Sequence, residues 1–198
     1  MLLVDISLYL PIIFRKNSSL NIKNLFIYKI LIVVTVFAIN SCSEYNKILK
    51  GSDYNLKFEK AIEYYNSNQC YKSLPLLDEL MSYFRMTNKG EEVYYYYAKN
   101  QFCMGDYYLA GYYYKRFVKN FPQSALAEEC AFNAAICMMK NSPEYYLDQK
   151  DSYNAIDEFQ LFMSKYPESS LIDSCDKLIH NLRNRLELKS FEKAKLYF

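Results

Sequence analysis

Residues 94–122 read YYYYAKNQFCMGDYYLAGYYYKRFVKNFP, and the spacing inside this stretch decides the fold. Counting from Ala98, the residues Gly105, Tyr107, Ala110, Tyr114, Phe117 and Pro122 stand at +7, +9, +12, +16, +19 and +24. Two antiparallel helices give every one of them a task. Ala98 and Ala110 are small enough for the helices to approach closely. Gly105-Asp106 supplies the tight turn between them. Tyr114 and Phe117, at i and i+3, fill the space between the helices, and Pro122 stops the second one. By propensity the tyrosine runs 94–97 and 112–114 resemble strands, but the helical repeat overrides that preference.

The pattern recurs on both sides. A shift of 45 residues finds Ala155, Phe159, Phe162 and Pro167, and Asn120-Phe121-Pro122-Gln123-Ser124 is answered by Lys165-Tyr166-Pro167-Glu168-Ser169. A shift back of 37 finds a weaker copy in Ala61, Tyr64, Asn68, Cys70, Ser73, Leu77 and Leu80. Residues 191–198 echo residues 58–65. These positions resemble the tetratricopeptide repeat (TPR), whose usual period of about 34 is exceeded here. The extra residues fall in the loop 87–90 and in the segment 141–149, where Pro143 breaks the helix. The expected fold is all-α, a TPR-like solenoid of antiparallel helix pairs with about three to four repeats. Helices are expected over 53–67, 70–85, 91–104, 107–120, 125–140, 151–165 and 170–188, with another starting near 190. Pro75 lies early in the second helix, where its missing N–H costs little. Ser124, Ser152 and Ser170 are expected to cap helix N-termini.

Upstream of the repeats the chain changes character. Residues 30–39 are uncharged and apolar and follow Lys29 directly, the layout of a secretory signal. A run of ten is short for a spanning helix, which needs about 20 residues. It ends in Ile39-Asn40-Ser41-Cys42. This resembles the lipobox of bacterial lipoproteins, with an aliphatic at −3, a small residue at −1, then the cysteine that carries the lipid. The organisation expected is therefore a lipoprotein signal peptide over 1–41, a lipidated Cys42 and tether over 42–52, and a helical repeat domain over 53–198. Residues 1–29 are long for the basic part of a signal, which points to a later start. The covalent lipid on Cys42 is the only attached group expected, with no other cofactor.

Charge follows the same division. The 198 residues carry a formal net charge of +2. Residues 1–42 hold four bases and one acid, so residues 43–198 hold 20 bases against 21 acids, a net of −1. Nucleic acid is excluded as a partner of the body on this ground. Four glycines, in no phosphate-binding pattern, argue against a nucleotide loop. One histidine, His180, excludes histidine-based metal clusters and disfavours a Ser-His-Asp site. With 22 tyrosines and 13 phenylalanines the chain can bury a large core.

The remaining chemistry-bearing residues converge on nothing catalytic. Cys130 and Cys137 are seven apart on one helix, about 10 Å along its axis, too far for a disulfide. The cysteines after Cys42 read chiefly as small buried apolar residues, and a cross-helix pair such as Cys103 with Cys137 is the oxidised alternative. His180 reads as a solvent-facing helix residue. Glu128-Glu129 and Asp157-Glu158 are adjacent rather than facing, which is weak for acid–base chemistry. Arg183, Arg185, Lys189, Lys193 and Lys195 make a basic helix face, either solvated or in contact with an acidic partner or lipid headgroups. No enzyme is expected, and no metal site.

With the leader, these residues resemble the BamD-like TPR lipoproteins of the outer-membrane β-barrel assembly (BAM) machinery. The likeness runs from Cys42 to the end. It is carried by Cys42-Ser43-Glu44-Tyr45-Asn46-Lys47-Ile48-Leu49-Lys50, Leu74-Pro75-Leu76-Leu77, residues 105–113, and Ser142-Pro143-Glu144-Tyr145-Tyr146-Leu147-Asp148-Gln149. The last segment has no place in a generic TPR and is similar to an insertion in family members of the Bacteroidetes type. The resemblance implies a lipid-anchored protein on the periplasmic face of the outer membrane. Its implied partners are a BamA-like barrel protein with POTRA domains, other BAM subunits and unfolded outer-membrane proteins. Members of the family continue for another repeat or two, so the resemblance also implies an incomplete last repeat. A different periplasmic TPR lipoprotein, scaffolding envelope-biogenesis proteins, is the alternative. In TPR-like pairs, first-helix residues at −6, −3, +1 and +4 from the small residue line the concave face. Here they are Asn55, Phe58, Ile62 and Tyr65, then Glu92, Tyr95, Lys99 and Phe102. An aromatic groove with a few polar groups suits an extended peptide ending in an aromatic. The competing role for Phe58, Tyr65, Tyr95 and Phe102 is packing between repeats.

Overall fold

The computed structural model describes residues 44–85 and 87–197, which leaves the expected signal peptide and Cys42 outside the described residues. The chain divides at Lys47–Ile48, and the fold that follows is that of the second unit. Residues 44–50 are helical. Then come α1 (Tyr54–Asn66), α2 (Cys70–Tyr83), α3 (Gly90–Cys103), α4 (Tyr107–Asn120), α5 (Ala127–Asn141), α6 (Lys150–Lys165) and α7 (Ile172–Lys195). No strand occurs among the described residues. Each helix packs on its neighbours in sequence, and α1 also meets α3. This is a TPR-like helical solenoid, built from the pairs α1–α2, α3–α4 and α5–α6 and continued by α7.

The repeated small residues are where the helices close on one another. Ala61, Ala98, Ala110, Ala135 and Ala155 are fully buried. Ser73 holds the first repeat's equivalent of Ala110, and its hydroxyl donates to the Ala61 carbonyl at 2.7 Å. A Cβ at Gly111 would stand 3.1 Å from the Cys137 Cβ, which shows how closely α4 and α5 approach. The large residues fill what remains. Leu77, Tyr114 and Phe159 occupy one position of three successive repeats and Leu80, Phe117 and Phe162 another, none more than 2% exposed. Burying a side chain of this size is worth roughly 1.5–3 kcal/mol.

The turns inside the first two pairs are the same device. Gly105 has φ +81° and Asn68, 37 residues earlier, has φ 58°, the one positive value at a non-glycine among the described residues. The Gly105 N–H donates to the Phe102 carbonyl and the Asp106 N–H to that of Gln101, while Asn68 donates to Tyr65 and Gln69 to Tyr64. That bond pair is the Schellman motif, which needs a left-handed residue. Glycine adopts that conformation freely, and asparagine is among the few residues that tolerate it. Asp106 then caps α4, its Oδ1 accepting from the Leu109 N–H at 3.0 Å.

The repeated pentapeptides have a shared use. The Ser124 hydroxyl accepts from the Leu126 N–H at 3.0 Å and donates to Glu91 at the start of α3. Likewise Ser169 accepts from the Leu171 N–H at 3.1 Å and donates to Glu128 at the start of α5, at 2.6 Å. One hydroxyl per repeat shapes the entry to a first helix and ties it to the first helix of the preceding pair.

Four expectations are corrected. The helices placed at 170–188 and from 190 are one helix, Ile172–Lys195, because no glycine or proline interrupts it. The caps of α5, α6 and α7 are Leu126, Gln149 and Leu171, without side-chain cap bonds. Ser124 and Ser169, rather than Ser124 and Ser170, bond the backbone two residues on, and Ser152 lies inside α6, bonded to the Gln149 amide oxygen. Cys103 pairs with Cys70, not Cys137, at a Cα–Cα distance of 6.2 Å. The two matching turns bring these residues together, while Cys130, Cys137 and Cys175 are free and buried. Lastly, the basic face of α7 is divided. Arg185 Nη1 donates to Ser142 Oγ at 3.1 Å and to the Pro143 carbonyl at 3.4 Å, Lys189 donates to the Leu147 carbonyl, and Lys195 pairs with Glu192. Arg185 and Lys189 thus fasten the inserted segment 142–149 instead of offering a free surface. From within that segment, the buried Gln149 donates to the Glu144 and Leu147 carbonyls at 2.7 and 3.2 Å.

Candidate peptide-binding face

The first helices α1, α3 and α5 lie side by side, and their facing side chains assemble the candidate site. Tyr96 of α3 stands at the junction with α1. Its ring meets Tyr65 edge-on at 5.8 Å and Phe58 at 6.3 Å between centroids. Tyr95, one residue earlier, points toward α5. Its hydroxyl donates to Glu129 Oε1 at 2.7 Å. Lys99, one turn on, lies between them. Its ammonium is 4.8 Å from the Tyr95 ring centroid and 5.6 Å from that of Tyr65, donates to the Tyr95 hydroxyl at 3.1 Å, and is 3.9 Å from Glu129 Oε1.

The expected site residues therefore divide by position. Tyr65, Tyr95 and Lys99 converge on one cluster. Phe58 and Tyr95 are only 6% and 8% exposed, so each presents an edge while packing between repeats. Tyr65, Lys99 and Ile62 are half-buried, and Glu92 is exposed on the same helix. Asn55 sits at the start of α1, exposed, where its Oδ1 accepts from Lys89 Nζ at 2.7 Å. Phe102 lies at the end of α3 and packs on Tyr107 of α4 at 5.1 Å.

Two members of the cluster were missed in the sequence. Tyr96 is hidden in a run of four tyrosines, and only the helix rotation tells which one faces α1. Glu129 was findable, because Asn55, Glu92 and Glu129 are spaced 37 apart. The inserted segment at 141–149 obscured that register.

Electrostatically the cluster is neutral tyrosine beside one loose ion pair. Burial raises the pKa of Tyr95 first, and its hydrogen bond to Glu129 raises it further. Burial likewise raises Tyr65, with Tyr96 next, and raises Tyr96, with Glu92 next. All three hydroxyls stay protonated at physiological pH and remain donors. At 3.9 Å the Lys99–Glu129 pair is longer than a hydrogen bond and half-exposed, a kind worth roughly 0–1 kcal/mol. It can be exchanged for a carboxylate or carbonyl brought by a ligand at little cost. The surface offers aromatic edges, hydroxyl donors and one exchangeable ammonium. That set suits an extended chain.

A family model described as YfiO, outer membrane lipoprotein, matches residues 52–198. The chain belongs to the YfiO outer membrane lipoprotein family. The match spans α1 to α7, so the first-helix face lies inside the matched domain. No curated protein matches the chain significantly. Among the described residues no helix is long and apolar enough to cross a membrane.

Proposed function

We propose that this YfiO-family protein is a non-enzymatic scaffold of outer-membrane β-barrel assembly, anchored on the periplasmic face by a lipid on Cys42. Its first-helix face receives extended segments of unfolded outer-membrane proteins. The rest of the solenoid holds a BamA-like barrel protein and other subunits of the BAM machinery. The observation that carries this reading is the Tyr65–Tyr95–Tyr96–Lys99–Glu129 cluster, an aromatic and exchangeable surface inside a domain of the outer membrane lipoprotein family. An unfolded barrel strand alternates aromatic or aliphatic side chains with polar ones. Such a strand places its apolar side chains against Tyr65 and Tyr96 and a carbonyl or carboxylate at Lys99.

The test is site-directed photo-crosslinking from position 96 of the full chain in native membranes. A crosslink to unfolded outer-membrane proteins is expected, weakened at least fivefold by Lys99→Gln with Tyr65→Ala. Well-folded protein that gives no such crosslink overturns the reading.

A further inference from the structure

The first-helix face leaves another concavity unused. A cleft of about 710 Å³ opens where the end of α2, the start of α3 and the end of α4 meet, and it shares no residue with the cluster above. Its floor is aromatic: Tyr94 and Tyr113 pack edge-to-face at 5.6 Å, with Phe121 at 6.2 Å from Tyr94. The polar groups along it are all able to donate. They are the guanidinium groups of Arg85 and Arg116, the tyrosine hydroxyls, the Ser82 hydroxyl and the Asn120 amide, and no aspartate or glutamate lines the cleft.

Two observations indicate a missing acceptor. The Tyr94 hydroxyl is buried and has no hydrogen-bond partner among the described residues, a condition native proteins rarely leave standing. Burial raises its pKa and Arg116 opposes that rise, so the guanidinium lies within electrostatic reach of the hydroxyl. Arg116 is meanwhile oriented by Tyr112, donating to its hydroxyl at 2.9 Å and lying 5.6 Å from the ring centroid. Neither Arg116 nor Arg85 joins any of the carboxylate ion pairs found among the described residues.

We propose that this cleft is a second docking site, which takes a carboxylate flanked by apolar side chains in an extended segment of a partner protein. The planar fork of arginine suits a carboxylate in two-point contact. The positive edges of the aromatic rings favour the same charge. The half-buried Met81 adds an apolar wall beside the rings for neighbouring apolar side chains. Rings with polar rims hold peptide side chains better than they hold acyl chains, so a protein segment is preferred to a phospholipid.

The chain contains no tryptophan, so a tryptophan in the probe reports binding without background. The probe is a capped tetrapeptide of tryptophan, glutamate, phenylalanine and glutamate, titrated into the detergent-solubilised full chain. Saturable binding is expected. Arg85→Gln and Arg116→Gln should each weaken it at least tenfold and Tyr94→Phe at least threefold. Both arginines are exposed, and Tyr94→Phe removes only an oxygen without a partner, so the fold survives each change; circular dichroism checks this. The proposal is overturned by absence of binding, by equal affinity for the probe with glutamine in place of glutamate, or by arginine variants that bind as the parent does. It is also overturned if inorganic phosphate or phosphatidylglycerol vesicles, rather than the peptide, show the dependence on Arg85 and Arg116.

Discussion

Ser124 shows how much of this fold turns on single hydroxyls. It accepts from the Leu126 N–H and donates to Glu91, and Ser169 repeats both bonds one repeat later. Ser124→Ala should lower the unfolding free energy by about 1 kcal/mol, as loss of a helix-entry hydroxyl does, measured by urea denaturation. The buried thiols make a second residue-scale prediction. Burial pushes Cys130 and Cys137 up to about 12 and Cys175 up to about 11. These values are raised in the folded state, so their contribution to stability is complete below the unfolded thiol value of roughly 8.5 and is lost as pH rises toward 12. Native protein at pH 8 should resist iodoacetamide at all three positions, and each should react once urea unfolds the chain. Peptide mass mapping reads both states. The positive-φ turn residues were legible in the sequence, since only Gly105 and Asn68 suit their places. The Cys70–Cys103 pair was not, because proximity across 33 residues depends on two turns superposing in space.

At the scale of elements, helix identity was written in periodicity and helix ends were not. The small-aromatic spacing located six of the seven helices α1 to α7 within a few residues, and it did not reach the helical residues 44–50. It failed at α7, where an echo of residues 58–65 imitated a fresh helix start although no breaker separates the two stretches. The basic residues of α7 illustrate a related limit. The i, i+4 spacing of Arg185, Lys189 and Lys193 is visible in sequence, but that Arg185 and Lys189 reach back to carbonyls of segment 142–149 depends on how α7 docks. Arg185→Gln should cost about 1–2 kcal/mol, in the range for a hydrogen bond to a charged group, and should speed amide exchange in residues 142–149. The disulfide acts between elements as well, fixing the start of α2 to the end of α3. Closing a loop of this length constrains the unfolded chain by roughly 3–4 kcal/mol on the chain-entropy account. Cys70→Ser with Cys103→Ser should lower stability by up to that amount in denaturant titration, with the helical circular dichroism spectrum retained.

Over the whole molecule, the solenoid is a stack of helix pairs, and the proposed lipid on Cys42 would tether it to the membrane. The family match spans the stack. The tether makes its own prediction, that Cys42→Ala abolishes incorporation of labelled palmitate while leaving the precursor in the membrane fraction. The candidate face was partly legible. The repeat register led to Tyr65, Tyr95 and Lys99, whereas Tyr96 and Glu129 needed the rotation of α3 and the placement of α5. The central claim, a scaffold acting in outer-membrane β-barrel assembly, is tested most directly by affinity isolation of the tagged full chain from detergent-solubilised outer membranes, with mass spectrometric identification of what accompanies it. The account predicts stoichiometric recovery of a BamA-like barrel protein. Its clean absence from well-expressed, lipidated material would contradict the claim.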